Sequence, residues 1–278
     1  MDLARLSIPF LKLGAALIAV YVLYAGMLFV LQRRMLFPGQ FERAPDHTAT
    51  ALQEIDRFWI DLPEGRGEVW VLPPVNKRDD PAPAVIVAHG NAELIDDLAR
   101  PLHRFREMGF ALVLPEYPGY GRSDGSPTEE SVTEAFRKTY DRITERRGID
   151  SSQILAYGRS VGGGIACQLA ADRPVAALIL QSTFTRIPEF AEDFYVPGFL
   201  VKDEFDNLDA LRSYSNPVLI LHGRQDGLVP FSHARRLAEI SENAELIAYD
   251  CGHNDCPPRW EMFWEDVSRF LQTNGFID

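Results

Sequence analysis

Residues 157–162 read Tyr-Gly-Arg-Ser-Val-Gly, which sets Ser160 at the centre of a Gly-x-Ser-x-Gly pattern. The apolar run Ile154-Leu155-Ala156 leads into it, and the small residues of 162–166 lead out. A buried strand, a sharp turn and a small-residue helix make a nucleophile elbow, in which strained backbone angles lift a serine hydroxyl above a sheet. Gly158 and Gly162 suit that turn because side chains there would collide across it. Alone, the pentapeptide is equally a strand-to-helix turn with a surface serine. A serine hydroxyl is a weak nucleophile at neutral pH; it needs a base, and the base needs an orienting acid. Both lie downstream. Residues 217–223 form an apolar strand pattern that ends at His222-Gly223 and runs on to Arg224-Gln225-Asp226-Gly227. Residues 245–250 form another, ending at Cys251-Gly252-His253-Asn254-Asp255. Ser160, Asp226 and His253 therefore each follow a strand C-terminus, and in an open α/β sheet those ends share one rim.

The elements that must carry these residues are legible as alternating patterns. Residues 57–62 and 68–72 suggest an antiparallel hairpin turning at 63–67. Residues 84–88 and 110–114 are continuous apolar runs, as expected for parallel strands covered on both faces. Residues 129–147 read as a charged amphipathic helix, 175–180 as a further strand, and 231–241 and 259–272 as closing helices. Strand–helix alternation of this kind predicts a mostly parallel sheet with helices on both faces. Residues 42–52 read as a polar linker and 73–83 as a Pro- and charge-rich loop. The aromatic and acidic stretch 184–213 interrupts the alternation.

The chain has 278 residues, is 46% hydrophobic and carries a net charge of −12. That length supports one large α/β domain. The acidity, with no basic stripe interleaved with aromatics, argues against a nucleic-acid partner. Residues 13–31 are apolar and uncharged, long enough to cross a bilayer, which takes roughly 17–25 residues. No Ala-x-Ala-like cleavage site follows them. They are expected to form a single N-terminal anchor, with residues 1–34 as membrane segment and 35–278 as the folded domain. Tyr21 and Tyr24 fall within the span rather than in an aromatic belt at its ends. Arg5 and Lys12 flank one end, and Arg33, Arg34 and Arg43 the other, a weak lean toward a cytosolic domain. A disulfide between Cys251 and Cys256 would instead argue for an oxidising compartment. The two could equally be free thiols, and the side of the membrane stays open. Cys167 reads as a core residue. A metal at Cys251, His253 and Cys256 would have three ligands at atypical spacing. Residues 119–125 are spaced Gly-x-Gly-x-x-x-Gly and precede Ser126-Pro127, which argues against a dinucleotide loop. No Walker, His-Glu-x-x-His or EF-hand motif is present, so neither a cofactor nor a metal is expected.

From about residue 33 onward the chain resembles the α/β-hydrolase superfamily. The carrying residues are 158–162, His222-Gly223-Arg224-Gln225-Asp226 and Gly252-His253-Asn254-Asp255. His89-Gly90-Asn91-Ala92 and Tyr117-Pro118-Gly119-Tyr120-Gly121-Arg122-Ser123 add to it. Within it the chain is similar to short membrane-anchored esterases and acyl-protein thioesterase-like enzymes, a likeness that Gln32-Arg33-Arg34-Met35-Leu36-Phe37-Pro38 supports. The resemblance implies an α/β-hydrolase fold with a short cap at about 184–213 and a fairly open site. It implies a catalytic triad of Ser160 as nucleophile, His253 as base and Asp226 as orienting acid, with Asp255 as an alternative acid. The oxyanion hole would take the backbone N–H of Val161 and that of Asn91 in the loop after 84–88. That loop departs from the lipase-type His-Gly-Gly-Gly form. His89 and His222 are expected to be structural anchors, and Ser123 and Asp124 to hold the surroundings of the elbow.

The expected function is hydrolysis of a carboxylic ester or acyl thioester through an acyl-enzyme. The expected partners are a small acyl ester or lipid-like substrate and, through the N-terminal helix, the membrane. A serine peptidase of the same fold and a non-catalytic membrane scaffold are the alternatives. The sequence does not name the substrate-binding residues.

Overall fold

The structure, a computed structural model, describes residues 3–42, 44–45, 55–76 and 80–278, with side chains from residue 11. Most of the polar stretch 42–52 lies outside the described residues. The chain opens with helix α1 (Leu3–Leu36), whose segment Leu11–Leu36 is long and apolar enough to cross a membrane. It then builds one sheet, in the order β1-β2-β4-β3-β5-β6-β7-β8. The strands are β1 (Asp56–Leu62), β2 (Gly65–Leu72), β3 (Ala82–Ala88), β4 (Ala111–Pro115), β5 (Ile149–Arg159), β6 (Ala177–Gln181), β7 (Val218–Gly223) and β8 (Ala244–Tyr249). β1 pairs antiparallel with β2 and β2 with β4; all other pairs are parallel. The hairpin turn is tighter than the sequence suggested, because Leu62 pairs directly with Gly65.

The helices that cover the sheet are α2 (Ile95–Leu98), α3 (His103–Glu107), α4 (Glu129–Thr144), α5 (Val161–Asp172), α6 (Asn207–Arg212), α7 (Phe231–Ile240) and α8 (Trp260–Thr273). Side chains of a strand alternate between faces, and two cores follow. Ala84, Ile86 and Ala88 of β3 join Phe136 of α4 and Ile165 of α5 on one face. Val85 and Val87 join Phe105 of α3 and Phe263 of α8 on the other. This two-sided burial explains why the central strands read as unbroken apolar runs.

The expected cap forms as two 3₁₀ turns, Ile187–Phe194 and Gly198–Leu200, followed by α6. Its far end is tied to the N-terminus of α4. The Glu129 carboxylate accepts the amides of Glu204 (2.6 Å) and Phe205 (3.0 Å), while Asp203 accepts the Glu129 amide (2.9 Å). Acidic groups suit that helix end, where backbone donors are unpaired. Phe205 is fully buried against Gly164 of α5, with its ring edge-on to Phe37. Phe205→Ala is expected to cost about 3–5 kcal/mol of stability, the usual loss for a large core ring, read by urea denaturation. A loss below about 1 kcal/mol would show that the cap does not depend on this anchor.

Candidate active site

Ser160 stands between β5 and α5 with φ 54° and ψ −119°, outside the regions that L-residues favour. The conformation is over-determined by its neighbours. The Ser160 amide donates to the Gln181 carbonyl (2.9 Å), and the Ser160 carbonyl accepts from Thr183 Oγ1 (2.8 Å) and the Gly163 amide (3.0 Å). A Cβ at Gly158 would strike the backbone of Gly162 and Gly163, and one at Gly162 the backbone of Ala88 and His89. The expected elbow is therefore present, and strain of this kind persists only where the surroundings enforce it.

Asp226 and His253 reach the same rim. Ser160 Oγ lies 3.1 Å from His253 Nε2, and His253 Nδ1 lies 2.7 Å from Asp226 Oδ2. With a carboxylate at Nδ1, that nitrogen carries the proton and donates it, leaving Nε2 to accept from the serine hydroxyl. Asp226 is buried, and its other oxygen accepts the amides of Leu228 (2.9 Å) and Val229 (2.7 Å). Burial alone would raise its pKa. Hydrogen bonds from His222, His253 and the Val229 amide outweigh burial and hold the carboxyl far below the usual range. His222 is fully buried; its Nε2 donates to the Val229 carbonyl (2.8 Å) and lies 3.4 Å from Asp226, so it braces the turn that carries the acid. Asp255 does not meet the histidine ring. It accepts the Gly252 amide (2.9 Å) and closes the loop at its base. Cys251 and Cys256, on either side of His253, are joined as a disulfide.

The loop after β3 is held by a buried ionic cluster. His89 Nε2 donates to Glu116 (2.9 Å) and Nδ1 to the Gly90 carbonyl (2.9 Å), so both ring nitrogens face acceptors. Burial lowers the His89 pKa, but the Glu116 hydrogen bond and charge and the Gly90 carbonyl bring it above the ordinary value. Glu116 also accepts the amides of Tyr117 (3.1 Å) and Ile95 (3.2 Å). Tyr117 and Tyr120 donate their hydroxyls to the carbonyls of His89 and Asn91, each at 2.6 Å. The Gly90 amide is occupied by Glu93 (2.6 Å), which also pairs with Arg159 beside Ser160. Among the described residues the amides of Asn91 and Val161 have no protein acceptor. Both residues line the cavity that contains Ser160.

That cavity has a volume of about 280 Å³ and apolar walls. Phe184, Ile187, Phe190 and Phe194 come from the cap side, as the aromatic stretch suggested. The opposite wall was not foreseen: Ala25, Leu28, Phe29 and Gln32 belong to α1. Helix and cap are stapled together. Gln32 donates to the Leu200 carbonyl (3.1 Å) and accepts the Lys202 amide (2.8 Å), and Arg33 makes a two-pronged pair with Asp203 (2.8 and 3.1 Å). The signals available beforehand were polar side chains in or at the end of an apolar helix: Tyr21, Tyr24 and Gln32. Ser123 and Asp124 correct a further expectation. They accept the amides of Glu68 (2.9 Å) and Arg66 (3.0 Å) and so brace the β1–β2 hairpin rather than the elbow.

A family model described as the alpha/beta hydrolase fold matches residues 83–211. An uncharacterized protein of Mycobacterium tuberculosis is 31% identical over 182 residues, which are 62% of this chain and 63% of that protein. The human alpha/beta hydrolase domain-containing protein 17B is 32% identical over 159 residues, 56% of this chain and 54% of that one. The chain thus spans between about half and two thirds of the length of the curated relatives it matches. Among solved structures, an esterase from Pyrococcus furiosus superposes with a TM-score of 0.65 at 17% identity, covering 80% of this chain and 91% of that one.

The His89–Glu116 pair gives a pH dependence of known sign. A histidine whose folded pKa is raised contributes in full below its unfolded value of about 6.5, and that contribution is lost as pH rises through the folded value. Asp226, whose carboxyl is depressed, acts only in acid, where its contribution disappears as pH falls below about 4. Between pH 6 and pH 9 the unfolding free energy, read in urea, is therefore expected to fall more steeply for wild type than for Glu116→Gln. Equal slopes would mean that the pair holds the loop without charge.

Proposed function

We propose that this chain, which has the α/β-hydrolase fold, is a membrane-anchored serine hydrolase of carboxylic esters or acyl thioesters. The observation that carries the reading is the hydrogen-bonded series Ser160–His253–Asp226, with Ser160 in the lining of an apolar cavity. Ser160 Oγ attacks the carbonyl carbon while its proton passes to His253 Nε2. The carbonyl oxygen takes the displaced electron pair and is met by the amides of Asn91 and Val161. Collapse breaks the bond to the alkoxide or thiolate, which leaves with the proton from Nε2. Water then repeats the cycle on the acyl-enzyme and frees the acid. Asp226 fixes the tautomer throughout and balances the imidazolium. Residues 1–34 serve as the membrane anchor and 35–278 as the catalytic unit, with the cap over the acyl group. An apolar cavity with a few convergent polar groups at one end suits a lipid-like acyl substrate.

Hydrolysis of p-nitrophenyl esters of graded acyl length by the full chain tests this. Ser160→Ala is expected to lower kcat by about a millionfold and Asp226→Asn by about ten-thousandfold. A fluorophosphonate is expected to label wild type and not Ser160→Ala. Labelling of both, or turnover that survives Ser160→Ala, would overturn the assignment. Absence of both turnover and label would leave a scaffold.

A further inference from the structure

The α1 residues that meet the Ser160 cavity are 25, 28, 29, 32, 35 and 36. Their spacing of three and four is that of one stripe along an α-helix. Met27 and Val30, between them, face away: Met27 is 51% exposed and Val30 71%. The contact is also fixed by polar groups, all on the cap side. Besides the Gln32 and Arg33 contacts, the Tyr21 hydroxyl donates to the Tyr195 carbonyl and the Tyr24 hydroxyl to the Phe194 carbonyl, each at 3.0 Å. Lys202 lies 4.0 Å over the Phe29 ring. These bonds explain the two tyrosines within the apolar span: in a lipid environment both the hydroxyls and the cap carbonyls need partners, and they supply one another. A helix that served only as a tether needs no such register. The lining of the same cavity includes Ser160 and Asn91 together with Ala25 and Phe194. Ala25 and Leu36 are separated by about 16 Å along the axis at 1.5 Å per residue, so the cavity has an extended apolar wall.

We propose that α1 is the chain-length-determining wall of the acyl site. The acyl group runs from Ser160 along the stripe toward Ala25, that is, back along the helix into its apolar span, so an acyl chain already seated in a bilayer is the ligand that fits. Ala25 and Leu28 set how long a chain is accommodated, because a larger side chain at either position fills the channel beyond the reacting carbonyl. Gln32 and the two tyrosines hold the wall in register with the cap. The assignment rests on the hydrolase reading for its reaction but not for its binding.

The experiment uses the full chain in phosphatidylcholine nanodiscs. The kcat/KM ratio for p-nitrophenyl palmitate over butyrate is measured for wild type, Ala25→Trp, Leu28→Trp and the outward-facing control Val30→Trp. Ala25→Trp and Leu28→Trp are expected to lower the ratio at least tenfold, and Val30→Trp to leave it within twofold of wild type. In parallel, binding of the fluorescent long-chain acid cis-parinaric acid is measured in the Ser160→Ala background, where no chemistry intervenes. Affinity is expected to drop at least tenfold with Ala25→Trp and not with Val30→Trp. An unchanged ratio for both stripe variants, or unchanged binding for Ala25→Trp, would overturn the wall. Equal effects at Val30 would reduce α1 to a general membrane tether and overturn it too. If wild type hydrolyses nothing but parinaric acid binding still depends on Ala25, the hydrolase reading fails while the wall stands.

Discussion

The approach of α5 to the ends of β3 and β5 sets the geometry of everything at the rim. β3 and β5 pair in register up to Ala88 and Gly158, so the loop carrying Asn91 and the turn carrying Ser160 begin at the same level. The helix starts one residue later, with Gly162 packed directly on the backbone of Ala88 and His89. Any side chain there would push α5 outward and carry with it both the serine and the Val161 amide. A single steric condition thus fixes Ser160 and the Val161 amide together, and the contact is backbone on backbone in an interior of low compressibility. The strain at Ser160 follows from it rather than standing beside it.

Around that rim the loops are held by buried charge. Glu116 gathers His89 and two amides; Glu68, fully buried, gathers Arg57, Arg122 and the Trp70 indole; Asp203 gathers Arg33 and the start of α4. Buried ion pairs add little net stability, because desolvation offsets attraction, but breaking one partner leaves a charge that nothing else satisfies. Such pairs penalise alternative loop positions. Each of these three carboxylates joins segments distant in sequence: Glu116 the loops after β3 and β4, Glu68 the β1–β2 hairpin and Arg122 in the loop after β4, and Asp203 the cap, α1 and the start of α4.

Where a feature is written in contiguous residues, the sequence shows it. The strand-to-helix turn at Ser160 and the strand runs need only short patterns, and the structure has strands and a sharp turn at those residues. Tyr21, Tyr24 and Gln32 act through partners about 170 positions away, and no local period encodes that. Their polarity within an apolar helix was the only trace. The Ser123 and Asp124 expectation failed for a topological reason. The order β1-β2-β4-β3 sets the loop after β4 beside β2, not beside β5, and a strand order cannot be read from alternation. Glu116 was invisible for the same reason: its partners on the β3 loop become neighbours only when β4 lies beside β3.

The stapling of α1 to the cap also orders events in time. A chain is synthesised from its N-terminus at about 5–20 residues per second, so α1 exists for roughly 10–30 s before the cap that will accept its tyrosines has been made. Through that interval β1 to β6 are translated, with β7 and β8 still to come after the cap, while the hydroxyls of Tyr21 and Tyr24 and the amide of Gln32 wait without the carbonyls of residues 194, 195 and 200. The elbow can already be formed when the cap is still missing. The wall that α1 and the cap form beside Ser160 is complete only when a segment made early meets one made late, which separates assembly of the turn at Ser160 from assembly of the cavity over it.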